Sequence, residues 1–132
     1  MVMMLALAGC TGAGVTGTWD LVPTAWTTTS VEGLHTERRV EGGTLFVERD
    51  GEAFAALDLS DPPARVALEG RVDPAVMDLT GSLDDGTLVP SEAALGAACR
   101  LDVVQLSCFG SMAIEGSELE VYNVISSWTR VD

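Results

Sequence analysis

Side chains able to do chemistry are few in this chain. It holds one histidine, His35, three cysteines, Cys10, Cys99 and Cys108, and no lysine; its seven basic residues are all arginine. Without lysine there is no Schiff base and no lysine general base. Any histidine-dependent triad must run through His35, which stands in a polar run beside Glu37 and Arg38, the pattern of a solvent-facing strand position. No Gly-x-Ser-x-Gly elbow is present. Paired carboxylates can work without histidine, as in glycoside hydrolysis. The 20 Asp and Glu residues make chance pairs so common that none is singled out. No catalytic residue is nominated, and an enzyme is not expected.

Metal chemistry is equally thin. Asp84-Asp85-Gly86 matches a fragment of a calcium loop but lacks the alternating oxygen ligands and the distal Glu of an EF-hand; a turn is the better reading. Asp58 and Asp61 flank a proline-broken loop and are read the same way. The cysteines and His35 have no zinc spacing. No metal or cofactor is expected. A formal net charge of −13 without a basic patch argues against nucleic acid as a partner.

The N-terminus is the most informative stretch. Met1 to Ala8 is an apolar run, too short for a bilayer span, followed by Gly9 and Cys10. Such a run reads as the apolar region and processing site of an export signal. Leu7-Ala8-Gly9-Cys10 resembles the lipobox of bacterial lipoproteins. The resemblance implies a signal over residues 1–9, removed before Cys10, and an acyl chain on that cysteine. The basic stretch that opens most such signals is missing, the first arginine being Arg38; an upstream start would supply it. Thr11, rather than Asp, after the cysteine implies the outer membrane, with the domain facing the periplasm or the exterior. Residues 10–14 then form a short tether and residues 15–132 a single β domain.

Export bears on the other two cysteines. With Cys10 lipidated, Cys99 and Cys108 remain as an even pair in an oxidising compartment, where a disulfide is expected and a pair of buried thiols is the alternative.

Beyond the tether the sequence alternates with period two between turn residues, the mark of antiparallel strands. Strands are expected over 15–22, 26–31, 35–41, 44–49 and 52–59. Asp50-Gly51 between the last two is a strong hairpin signal. Val66, Leu68, Gly70 and Val72 share one face, as do Met77, Leu79, Gly81 and Leu83. Asp85-Gly86 offers a second turn into a strand at 87–89. Pro90-Ser91-Glu92 is the one plausible helix start, with Ser91 as its cap. Between Cys99 and Cys108 the apolar phase slips at Val103-Val104, which suggests a bulge. A last hairpin pairs 112–114 with 119–125. These segments amount to about eight to ten short strands, arranged as an antiparallel barrel or a two-sheet sandwich.

Gly17-Thr18-Trp19 at the first strand resembles the Gly-x-Trp motif that opens lipocalin barrels. The resemblance implies an up-and-down barrel in which Trp19 packs across the base against an arginine of the last strand, here Arg130. Two functions follow. One is a non-catalytic envelope lipoprotein acting by display or by contact with a protein partner. The other is a lipocalin-like carrier of a small apolar ligand, in a cavity near Met77, Leu79, Phe54 and Trp26, with room made by small inward residues such as Ala53, Ala55, Gly70 and Gly81.

Overall fold

A computed structural model describes residues 14–29, 35–60, 63–116 and 119–131; of residues 28, 29, 35 and 36 only the backbone is described. They form nine strands and no helix: β1 (Gly17–Leu21), β2 (Thr24–Thr29), β3 (His35–Val47), β4 (Glu52–Ser60), β5 (Ala64–Val72), β6 (Val76–Asp84), β7 (Ser91–Asp102), β8 (Gln105–Glu115) and β9 (Leu119–Arg130). Each strand pairs antiparallel with its neighbour in sequence from β3 to β9. β1 and β2 both lie between β3 and β9, end to end in one position. The result is a closed, up-and-down barrel of eight staves, which decides against the sandwich.

Alternation builds the wall. In β4, Ala53, Ala55, Leu57 and Leu59 are buried while Glu52, Phe54, Ala56 and Asp58 are exposed. The split in the first stave falls at Val22-Pro23, where proline has no N–H to give a ladder. There the buried set changes parity, from Trp19 and Leu21 to Trp26. β3 changes parity at the same level, through a bulge between Val40 and Gly42. The two shifts match, so the pairing between these staves runs on unbroken from Leu21↔Gly43 to Thr24↔Val40.

The interior is packed with large side chains. Trp19, Trp26, Trp128, Leu45, Leu57, Met77, Leu79, Leu95, Leu106 and Met112 are each under 2% exposed. Burying a side chain of this kind is worth about 1.5–3 kcal/mol. The outside of β3 to β6 carries charge, including Glu37, Arg39, Asp58, Arg65, Glu69 and Asp78. On these four strands, apolar inside and charged outside is the reverse of the pattern of membrane-spanning strands.

Two glycines serve distinct backbone needs. Gly51 takes a φ of 92° in the turn between β3 and β4, where its N–H bonds the Glu48 carbonyl at 2.9 Å. Gly81 lies where β6 presses on β5: a Cβ there would stand 1.8 Å from the Ala67 carbonyl oxygen.

Four local expectations are corrected. Residues from Ser91 start the strand β7, not a helix, because Ala93 and Leu95 point inward with period two and the segment is paired on both sides. Residues 87–89 are part of a bent connection between β6 and β7, not a strand. Gly42-Gly43 does not end a strand; the bulge carries β3 through it. Val103-Val104 is the tight turn of the β7–β8 hairpin rather than a bulge, flanked by the pair Asp102↔Gln105.

Candidate functional site

One end of the barrel is capped from its own two chain ends. Trp19 and Arg130 are register partners on β1 and β9, and the Arg130 guanidinium carbon lies 4.3 Å from the Trp19 ring centroid. The Trp19 indole N–H donates to the Val15 carbonyl at 2.8 Å. The guanidinium donates to the carbonyls of Thr16 at 2.9 Å, Val103 at 3.3 Å and Gly14. The Arg130 backbone N–H reaches the Val104 carbonyl at 2.9 Å. A planar, five-donor cation suits this task, since it covers the indole face while its edge satisfies turn carbonyls. Every contact is internal, so the end is a structural plug.

Cys99 and Cys108 are joined by a disulfide across β7 and β8, at directly opposed positions with Cα atoms 4.1 Å apart. Bonded sulfurs provide no thiolate for nucleophilic or metal chemistry. Cys10 lies outside the described residues, as do the whole of Leu7 to Cys10 and Asp61. The backbone of His35 begins β3.

The expected cavity residues divide. Trp26, Met77 and Leu79 point inward and are 1%, 0% and 0% exposed. A void large enough for water leaves accessible surface on its lining, and these three side chains have essentially none. Phe54 stands on the outer face, 39% exposed, because its neighbours Ala53 and Ala55 take the inward positions of β4. Gly70 and Gly81 leave no room either: a Cβ on each would meet strand backbone at 2.1 and 1.8 Å. Small residues here let strands approach rather than open space. The Trp26 indole N–H is buried, with no hydrogen-bond partner among the described residues.

The carboxylates sort into turns and surface pairs. Asp84 Oδ1 accepts the Gly86 N–H at 2.9 Å, and Asp85 Oδ1 accepts the Thr87 N–H at 3.1 Å. The hydrogen bonds from the Thr87 side chain and backbone hold the Asp85 carboxyl below the ordinary aspartate range. Asp58 pairs across β4 and β5 with Arg65 at 3.1 Å, both largely exposed, so the pair contributes little. Glu48, Asp50 and Glu52 bring carboxylate oxygens within 4.8 Å of one another at the β3–β4 turn, fully in solvent. They are the set among the described residues close enough to share a cation. Asp50 Oδ1 also accepts the Glu52 N–H at 2.9 Å, as turn aspartates do.

The outer wall of β7, β8 and β9 differs from the rest. Its mid-wall outward residues are Ala94, Gly96 and Ala98, then Ser107, Phe109, Ser111 and Ala113, then Val121, Asn123, Ile125 and Ser127; Glu92, Arg100 and Asp102 on β7 and Glu115 on β8 face outward nearer the strand ends. None of the mid-wall set is charged, in a chain of net charge −13. Phe109 and Ile125 are direct cross-strand partners, each 68% exposed. Towards the end away from Arg130 this wall runs into an open groove of about 390 Å³, floored by Ala94, Ala113 and Gly81 and rimmed by Glu69, Glu92, Glu115 and Leu119.

Sequence reasoning missed both the face and the groove. Phe109 and Ile125 lie on different strands, and only the register of β8 with β9 joins them. The available signal was the lack of charge at every second position from Ser107 to Ala113 and from Val121 to Ser127.

Comparison with protein-family models, with curated proteins and with solved structures finds no match for this chain.

Proposed function

We propose that this protein is a non-catalytic envelope lipoprotein, anchored through Cys10 to the outer membrane, that acts by contact with a protein partner through the outer wall of β7 to β9. The observation that carries this reading is the Phe109–Ile125 pair, two-thirds exposed in the uncharged middle of this wall. Apolar side chains at the centre of an uncharged patch are what a partner covers with gain, since burying them costs no ionic desolvation. The bonded cysteines and the turn-engaged aspartates support a role without catalysis. The packed interior weighs against carriage of a small apolar ligand, which requires a cavity.

Crosslinking in cells tests the reading. A photoreactive residue at Ser111, in the centre of the wall, is expected to give adducts of defined mass. The same group at Ala67, on the charged side, is expected to give none. Equal labelling at both positions, or none at either, would overturn it. A small molecule retained at one-to-one ratio from an envelope lipid extract, seen by native mass spectrometry, would favour the carrier instead.

A further inference from the structure

Glu92 on β7 and Glu115 on β8 are direct register partners, and both side chains are exposed on the outer face. Residues opposed in this way have Cβ atoms about 4.5–5.5 Å apart, and like charges there destabilise the sheet. Among the described residues no register neighbour relieves the pair: in the flanking rows Glu92 faces Ser82 on β6 and Glu115 faces Leu119 on β9. One level further along the wall come Thr80, Ala94, Ala113 and Val121, with Glu69 opposite Thr80 on β5. Three carboxylates thus stand around a floor of alanines, with Leu119, 62% exposed, at one side.

We propose that this groove binds a basic, extended segment of the partner protein. An arginine or lysine of that segment lays its aliphatic stem on Ala94 and Ala113 and sets its cation between Glu92 and Glu115. Glu69 meets a second cation. Long basic side chains combine these two properties, an apolar stem and a charged head. The floor takes the stem and the rim takes the head, so the groove and the occupant match in both polarity and charge. The closed barrel leaves no free edge for strand addition, so such a segment lies across the wall. The groove is continuous with the uncharged wall through Ala113 and Val121, and the proposal rests on the protein-contact reading of that wall.

The opposed glutamates also provide a test that separates binding from architecture. In the free protein they repel; in the complex the cation offsets the repulsion. Removing one charge therefore moves stability and affinity in opposite directions.

The experiment uses the full chain carrying Cys10→Ala, so that it is made without lipid. The probe is a fluorescent peptide, acetyl-Gly-Leu-Arg-Leu-Arg-Gly-amide, with its glutamate counterpart and arginine amide as comparisons. The arginine peptide is expected to bind and the glutamate peptide not. Glu92→Gln and Glu115→Gln are each expected to weaken binding about 3- to 10-fold while raising Tm by about 1–3 °C. Asp20→Asn, an exposed carboxylate on β1, is expected to change neither. Binding that is absent, that survives both glutamine variants, or that falls equally with Asp20→Asn overturns the proposal. So does arginine amide binding as tightly as the peptide, which would make the groove a small-amine site. Ser111 crosslinks that persist in Glu92→Gln together with a failed peptide assay would reject the groove and leave the wall standing. Loss of crosslinks from the intact chain would reject the wall itself.

Discussion

The Arg130 guanidinium lies over the Trp19 ring, 4.3 Å from its centroid, and the two residues are paired in register where β1 meets β9. The contact joins the first stave to the last, so it acts on the closure that makes the sheet a barrel. Removing either side chain is expected to lower stability, and a double-mutant cycle on Trp19→Leu and Arg130→Met is expected to show a coupling of about 0.5–2 kcal/mol. Urea titration of the four proteins measures it. Coupling near zero would mean that Arg130 acts only through the carbonyls of Gly14, Thr16 and Val103.

The Cys99–Cys108 bridge, with a sequence separation of 9, closes a short loop around the Val103-Val104 turn. In the chain-entropy model a loop of this size contributes about 2–3 kcal/mol. Reduction is expected to lower the unfolding free energy measured by urea titration by that amount, while the far-ultraviolet circular dichroism of the folded protein stays that of a β barrel. A reduced protein as stable as the oxidised one would show that the hairpin ladder alone holds β7 to β8.

Gly81→Ala adds one methyl group where the Ala67 carbonyl oxygen already stands. Backbone must move to admit it, at a cost of about 1–3 kcal/mol. Gly96→Ala, whose added Cβ would meet nothing within 4 Å, is the matched control and is expected to be far milder. Thermal unfolding of the two variants distinguishes a site of close strand approach from a general dislike of alanine in these strands.

Asp85 titrates below the ordinary aspartate value because Thr87 donates to its ionised form. A depressed folded-state pKa gives stability that is present above the unfolded value and is lost as pH falls through the folded one. The stabilisation is therefore expected to fall away in acid, starting at the ordinary aspartate value and ending below the lower folded-state value. A carboxyl chemical-shift titration that places Asp85 at or above the ordinary value would contradict this.

The proposed anchor at Cys10 makes a prediction about processing. Globomycin, an inhibitor of the lipoprotein signal peptidase, is expected to leave a longer precursor, and Cys10→Ala is expected to abolish labelling with a radioactive fatty acid. Unchanged processing under both conditions would remove the membrane anchor from the proposed function.

The sequence by itself determined the class of fold, because period-two burial is a local property: a strand such as Ala64 to Val72 declares its buried face without reference to any other. It also determined the Asp50-Gly51 hairpin, through the positive φ that glycine permits. Phase errors were local too. Ala93 and Leu95 looked like a helix start because their strand partners on β6 and β8 are distant in sequence, and Val103-Val104 looked like a bulge because a tight turn also reverses phase. The tertiary structure alone decided what register decides. It placed Phe54 outside, filled the room that glycines seemed to leave with neighbouring backbone, and set Phe109 beside Ile125 and Glu92 opposite Glu115. Those relations depend on which residues face one another across the ladder. A shift of one residue would turn the whole row to the other face of the wall.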